Sequence, residues 1–248
     1  MFATIETIID KIELWKLYHR NTCLSHEFIP YYCPDKYPEI KANEYPIVNK
    51  VPMGEIKTSK FYNILLKRES TRTYVNNKID FNSLSSILYY SNGKNMCNDY
   101  YRKIVPSAGA RYPVEIHLIS FNVTNIENGI YHYNDNDNTL EMTVKGNFND
   151  EAYRNCRFQE MVRECGCLIC ICLDFNRTIS KYGERGYRYA LLDAGHVAQN
   201  LYLTCTYENL GIAGIGGFYD KKIKKLLKLP KEEDPIYLFS IGNKEGGM

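Results

Sequence analysis

No window of about 18 consecutive apolar residues occurs in this sequence, which leaves no helix fit to span a bilayer. The opening MFATIETIIDKIELW lacks the basic start of a secretory signal, and Glu6, Asp10 and Glu13 interrupt its apolar run. The expected location is therefore the cytoplasm. There the nine cysteines, an odd number, are expected as free thiols. Charge of one sign is missing too. The 31 Lys and Arg against 29 Asp and Glu leave +2, scattered rather than clustered, and give no electrostatic basis for binding nucleic acid. The sequence holds no Ser-His-Asp elbow, HExxH, Walker loop or zinc-spaced CxxC pair, so hydrolase and NTPase readings have little support. Repeats and low-complexity tracts are absent. What remains is 248 residues, enough for one large domain with a full core.

Apolar periodicity sketches the elements. Ile5, Ile8, Ile9, Ile12 and Trp15 predict an amphipathic helix over 4–18. Pro30, Pro34, Pro38, Pro46 and Pro52 then mark an extended segment that either covers the core or docks a partner. Residues 1–57 are thus read as an N-terminal helix and wrapping extension, and 58–248 as the folded domain. A helix is expected over 58–67, and another after Asp80 as N-cap, stopping near Asn92-Gly93. Alternation predicts a strand at 114–121, two strands within 129–143 around an Asn/Asp turn, and a last strand at 235–242. A polar helix is expected over 151–163. A long helix over 187–209 is expected to end on a glycine cap at Asn209-Leu210-Gly211. The class is α+β with a central sheet. The run CGCLICIC, Cys165 to Cys172, reads as a buried strand. Strand alternation would put Cys165 and Cys167 on one face and Cys170 and Cys172 on the other, so the four could not close one metal tetrahedron.

Four constellations could carry chemistry, and each has a plainer alternative. Arg68, Ser70 and Arg72 alternate, so an extended backbone would turn two guanidiniums and a hydroxyl the same way, as a phosphate requires. A solvated charged loop would look the same. Pro106-Ser107-Ala108-Gly109-Ala110-Arg111-Tyr112-Pro113 forms a rigid loop of small residues that could lie against a flat ligand, or be a structural turn. Gly211, Gly214, Gly216 and Gly217 follow a helix rather than open one. They are no dinucleotide fingerprint, but their N–H groups could cradle a phosphate or ribityl chain; tight packing of a sheet on the preceding helix is the alternative. Lys181-Tyr182 offers a base and a proton donor, with Arg185 and Arg188 near enough in sequence to favour the free amine. A surface lysine beside a packed tyrosine is the rival reading. His196, with Asp193 and Asn200 at helical spacing, is expected to be a satisfied core histidine.

The order RESTR, PSAGARYPVEIHL, GIYHY, KYGERGYRYALLDAGHVAQNLYL, GIGGFYD, PIYLFSIG resembles the SagB/McbC-type dehydrogenases, a branch of the FMN-dependent nitroreductase superfamily. The resemblance covers about residues 60–243, and YHRNT (Tyr18–Thr22) is similar to the segment opening many members. It implies a nitroreductase-like central mixed sheet flanked by helices, built as an intertwined homodimer with FMN at the interface. Arg68, Ser70 and Arg72 match the phosphate- and flavin-contacting motif. Pro106, Ser107, Ala108 and Gly109 match the loop along the isoalloxazine, that of the partner subunit's flavin. Gly216 and Gly217 match the backbone near the flavin, Lys244 falls where many members have a phosphate contact, and Lys181 and Tyr182 match the Lys-Tyr motif of azoline dehydrogenases.

The activity so implied is oxidation of peptide thiazolines or oxazolines, made from Cys, Ser or Thr, to aromatic azoles. An ATP-using cyclodehydratase and a precursor peptide are the implied partners. Lys181 would be the base, directly or through Tyr182. Arg72 would stabilise negative charge on the reduced flavin, and dioxygen would reoxidise it. Two other functions stay open at this point: a nicotinamide-driven nitro- or quinone reductase on the same fold, and a non-catalytic subunit of a peptide-modifying complex.

Overall fold

Strand β4, Cys167–Asp174, is buried along nearly its whole length and sits in the middle of a six-stranded sheet. The computed structural model describes residues 13–26, 45–46, 48–95 and 102–245. Around β4 lie β1 (Val114–Ser120), β2 (Gly129–Asn134), β3 (Thr139–Lys145), β5 (Leu210–Ile215) and β6 (Glu233–Asn243), in the order β3-β2-β1-β4-β6-β5. Neighbouring strands pair antiparallel throughout, and a parallel bridge joins Ile79 to Val123 outside them. The register is set by the pattern of side chains: His117 faces His132 on one side and Cys170 on the other. Slipping by one residue would exchange the two faces of a sheet that is apolar on both.

Each face has its own helices. Cys167, Ile169, Ile171 and Leu173 point to the layer made by α3 (Phe81–Asn92) and α7 (Arg185–Tyr207). Leu168, Cys170 and Cys172 point to the layer of α4 (Asn149–Asn155), α5 (Met161–Glu164) and α8 (Asp220–Leu226). Three further helices complete the described fold: α1 (Leu14–Thr22), α2 (Lys60–Lys67) and α6 (Phe175–Tyr182). None of the described helices is long and apolar enough to cross a membrane.

Several elements fall where their local chemistry places them. The Asp80 carboxylate accepts the Ser83 N–H at 3.0 Å and so caps α3, which stops at Gly93. Asp80→Ala should cost about 1 kcal/mol, seen as a lower urea midpoint at unchanged slope. Ser59 caps α2 in the same way, accepting from Tyr62 N at 3.1 Å.

Other elements differ from the sequence reading. The polar helix expected over 151–163 is two helices, α4 and α5. Arg157 and Phe158 take φ of 59° and 57° between them, a conformation in which a right-handed helix cannot continue. Cys165 does not share a face with Cys167. Its N–H closes the last turn of α5 on Met161 O, the chain bends at Gly166, and its thiol joins the side of Cys170 and Cys172. The long helix ends at Tyr207, and Asn209 (φ 58°) supplies the left-handed turn given above to a glycine cap. Gly211 instead belongs to β5, where a Cβ would lie 2.9 Å from the Thr71 side chain. Cys23, Cys156, Cys165, Cys167, Cys170, Cys172 and Cys205 are unbridged.

Of the helix expected over 4–18, residues 4–12 lie outside the described residues, as does most of the Pro-rich segment. The described part runs on to Thr22 and packs across the junction of α6 and α7. Trp15 lies 5.3 Å from the Phe175 ring and 6.0 Å from that of Tyr187, and its backbone N–H donates to Glu184 Oε2 at 2.8 Å. Further on, Leu24 N donates to Asp220 at 2.7 Å and the His26 ring stacks on Tyr219.

Candidate active site

Helix α6 begins on an Asp174 cap, whose carboxylate accepts from Asn176 N, and ends on Gly183 at φ 56°. Lys181 and Tyr182 are therefore its last two residues. The 106–113 loop comes up against them. Gly109 sits at φ 58°, and a Cβ there would lie 2.6 Å from Lys181 Nζ and collide with the Tyr182 hydroxyl. Only glycine permits both the backbone conformation and the approach. The loop is fixed from below by α7. Ser107 Oγ donates to Asp193 Oδ2 at 2.6 Å, Ala108 N lies 3.3 Å from both carboxylate oxygens, and Tyr112 N donates to Ser107 Oγ at 2.8 Å. Burial pushes the Asp193 carboxyl pKa up, against the pull of the Ser107 and Ala108 hydrogen bonds. A groove of about 300 Å³ opens here, lined by Pro106, Ser107, Ala108, Tyr189, Leu192 and His196. The Tyr182 ring meets Tyr189 edge-on at 5.0 Å, and the Arg185 guanidinium lies over Tyr189. His196 is exposed on the groove wall and is not a core histidine. Helical spacing brought Asp193 and Asn200 beside it in sequence, but Asp193 holds the loop and Asn200 donates to Tyr90 O at 3.3 Å.

A second cluster forms around Tyr202, nine residues further along α7 and roughly 13 Å away by helix rise. The Arg68 guanidinium lies 5.6 Å over its ring, and Ser70 Oγ is 3.3 Å from its hydroxyl. The same hydroxyl accepts from Gly214 N at 2.9 Å. Thr71 N donates to Ile212 O and Tyr74 OH to Thr71 O and Ser240 O, so the 68–74 segment is laid along β5 and β6. Lys244, at the end of β6, reaches Glu69 at 3.5 Å, and Arg72 is exposed. At Gly216 a Cβ would meet nothing within 4 Å, while Gly217 O accepts from Gln159 at 3.0 Å.

Residues 68–71, Lys244, Gly211 and Gly214 thus come together, as do loop 106–109 and Lys181-Tyr182, while Gly217 lies instead by Arg157 and Gln159. The two groups do not meet within one chain. Sequence reasoning missed Tyr202 and the anchoring role of Asp193. A buried acid on an otherwise apolar helix face, as in ALLDAGH, was the available signal for the latter. A larger cavity of about 650 Å³ lies elsewhere, between α1, α8 and β6, and touches neither group.

Beneath the loop runs a charged network. Glu115 bonds Arg177 at 2.6 Å and His132 at 3.0 Å; His132 also meets Glu141 at 3.2 Å, and its ring lies 5.2 Å from His117. Burial alone would push the Glu115 carboxyl up, but His132 and Arg177 hold it down at about 2. The bond to Glu115 chiefly raises His132, to about 8. The stabilisation from His132 is complete below its ordinary value of 6.5 and is lost as pH rises through about 8. That from Glu115 is complete above its ordinary 4.5 and is lost as pH falls toward 2. The thermal midpoint should therefore fall from pH 6 to pH 9, and the fall should be shallower in His132→Gln. Calorimetry across that range checks it, with equal slopes as the refuting result.

Comparison with known proteins fits this architecture. Residues 65–243 match the model of the Nitroreductase family. A Methanocaldococcus jannaschii protein assigned as a nitroreductase, MJ1384, is 32% identical over 195 residues, covering 79% of this chain and 96% of that one. The Escherichia coli microcin B17-processing protein McbC is 31% identical over 134 residues, about half of each chain (52% and 49%). A chain of the E. coli microcin synthetase McbBCD complex with truncated pro-MccB17 bound superposes with a TM-score of 0.72 at 20% identity, covering 99% of this chain and 98% of the other. Members of the matched family generally use a flavin. With that match spanning the whole sheet and both residue clusters apart from Lys244, the chain belongs to the nitroreductase family of oxidoreductases.

Proposed function

We propose that this chain is an FMN-dependent dehydrogenase that oxidises thiazolines or oxazolines of a ribosomally made peptide to thiazoles or oxazoles. The observation that carries the reading is the seating of Lys181 and Tyr182 against Gly109: an amine and a phenol held over a backbone loop beside an open groove. The likeness to McbC, named for processing microcin B17, supports the substrate class.

The residues present fit FMN. Arg68 and Ser70 meet at Tyr202, Lys244 stands by the intervening Glu69, and exposed Arg72 belongs to the same short segment, residue types suited to a phosphate dianion, while the open backbone at Gly216 leaves room for a ligand to approach. Bound FMN would supply the two-electron acceptor. The protein's part is orientation and proton management. Lys181 takes a C–H proton from the azoline ring while the adjoining ring carbon gives up its hydrogen with the electron pair. The ring thereby loses two protons and two electrons and becomes aromatic. Tyr182 holds the amine in place and can pass the proton on. Asp193 keeps the loop at the height that makes the approach possible.

Because loop 106–109 and residues 68–72 stand apart along α7, the reading includes a homodimer in which one subunit's loop faces the other's phosphate edge. The exposed Phe61, Leu66, Leu192 and Tyr207 offer apolar surface for it. Residues 58–248 would form the FMN-binding domain and 1–57 its extension. A cyclodehydratase would act before it, since azolines must first be made.

The purified protein should be yellow with bound FMN, and an azoline-bearing peptide should lose two hydrogens per ring by mass spectrometry. A flavin-loaded protein that leaves such peptides unchanged would sink the proposal. The match to MJ1384 favours a second reading, a nicotinamide-driven nitroreductase. Rapid bleaching of the flavin by NADPH, insensitive to Lys181→Ala, would select it. A colourless protein would point to a non-catalytic subunit.

A further inference from the structure

Loop 106–113 carries more strain than a surface turn needs. Ala110 (φ 54°) and Tyr112 (φ 44°) both lie in the left-handed region, which an aromatic residue rarely enters. Such a conformation persists where the surroundings over-determine it. At the front of the loop the determining group is Asp193. At the rear it is Arg177 on α6, which has no part in the chemistry above.

Arg177 joins three elements with one guanidinium. It pairs with Glu115 on β1 at 2.6 Å and with Asp174 at the start of its own helix at 3.3 Å, and it donates to Tyr112 O at 2.9 Å. Its own carbonyl accepts from Arg111 Nε at 2.7 Å. With Ser107 Oγ accepting from Tyr112 N, the peptide groups on both sides of the strained Tyr112 are held. Arg177 also lies one helical turn before Lys181, on the same face of α6. The helix that presents the reactive pair and the loop that the pair touches are thus tied together through one side chain.

Resting on the activity proposed above, we propose that Arg177 is a positioning residue for it: the guanidinium sets the distance between loop 106–112 and Lys181-Tyr182. Lysine could not replace it, because an ammonium has no planar fork to serve a carboxylate and a carbonyl at fixed angles. The groups facing the fork are Glu115, Asp174 and Tyr112 O, and Glu115 is itself oriented by His132.

The test has two readouts on the FMN-loaded full chain. In Arg177→Met, amide hydrogen exchange over 106–113 should rise while that of β4 and β6 stays as in the wild type. Turnover of the azoline peptide should fall by about 100-fold in kcat, the scale of an ångström's misplacement, with KM and flavin content little changed. Arg177→Lys should show both effects in weaker form. If Arg177→Met does not fold, Glu115→Gln, which removes one anchor, should raise loop exchange and lower kcat in the same direction. Unchanged exchange over 106–113, or an unchanged kcat with a looser loop, overturns the proposal. Should the wild type fail to turn over azolines, the function proposed above falls, and Arg177 is judged on loop exchange alone.

Discussion

Lys181→Ala should retain FMN and lose azole formation, with kcat and kcat/KM falling together by about 100- to 10,000-fold, the range removed with a general base. The expectation follows from where the amine sits. Lys181 ends its helix, is exposed toward solvent on one side, and meets the tight approach of Gly109 on the other. Truncation opens space without breaking an ion pair, so fold and cofactor should survive. Tyr182→Phe separates the two roles. If the phenol only holds the amine, the loss should be small. If it passes the proton, Tyr182→Phe should approach Lys181→Ala. Turnover within a few-fold of wild type in Lys181→Ala would remove this residue from the chemistry.

Gly109→Ala should do comparable damage by a different route. The added methyl group would lie 2.6 Å from the Lys181 amine and collide with the Tyr182 hydroxyl, and alanine at this φ costs about 1–2 kcal/mol. The loop cannot retreat, since Asp193 holds Ser107 and Ala108 while Arg177 holds Tyr112. The pair must therefore move. Turnover should drop about 100-fold, with the melting temperature lowered modestly. A variant with normal turnover and a wild-type melting curve would mean that the loop and α6 are not in contact in solution.

What could be read from the sequence was what is decided locally. The Asp80 cap, the strand expected over 114–121 and the Asn/Asp turn between β2 and β3 each depend on a few adjacent residues; the cap and turn are found, and the strand runs Val114–Ser120, buried on both faces rather than alternating. The α4–α5 break was hidden because Arg157 and Phe158 are not turn residues; nothing in their chemistry announces a positive φ. Cys165 misled because strand alternation was extended across Gly166, where the chain bends. In the site, Arg68 and Ser70 both meet Tyr202, a partner that lies far along the chain and had no local signature. Arg177 was invisible for the same reason, whereas Asp193 showed only as an acid within the apolar stretch ALLDAGH, with nothing to name its partner loop. Each is a charged residue whose role is defined by what folding brings to it.

The placement of Trp15 has a practical consequence. It is the chain's single tryptophan, and its indole packs against the mutually stacked rings of Phe175, the first residue of α6, and Tyr187, in the first turn of α7. Its backbone is fastened to Glu184, two residues beyond Tyr182. The protein thus carries one built-in fluorophore at the joint beside its reactive pair. Emission from that one indole will track any shift of the joint, with no label attached and no second tryptophan to subtract.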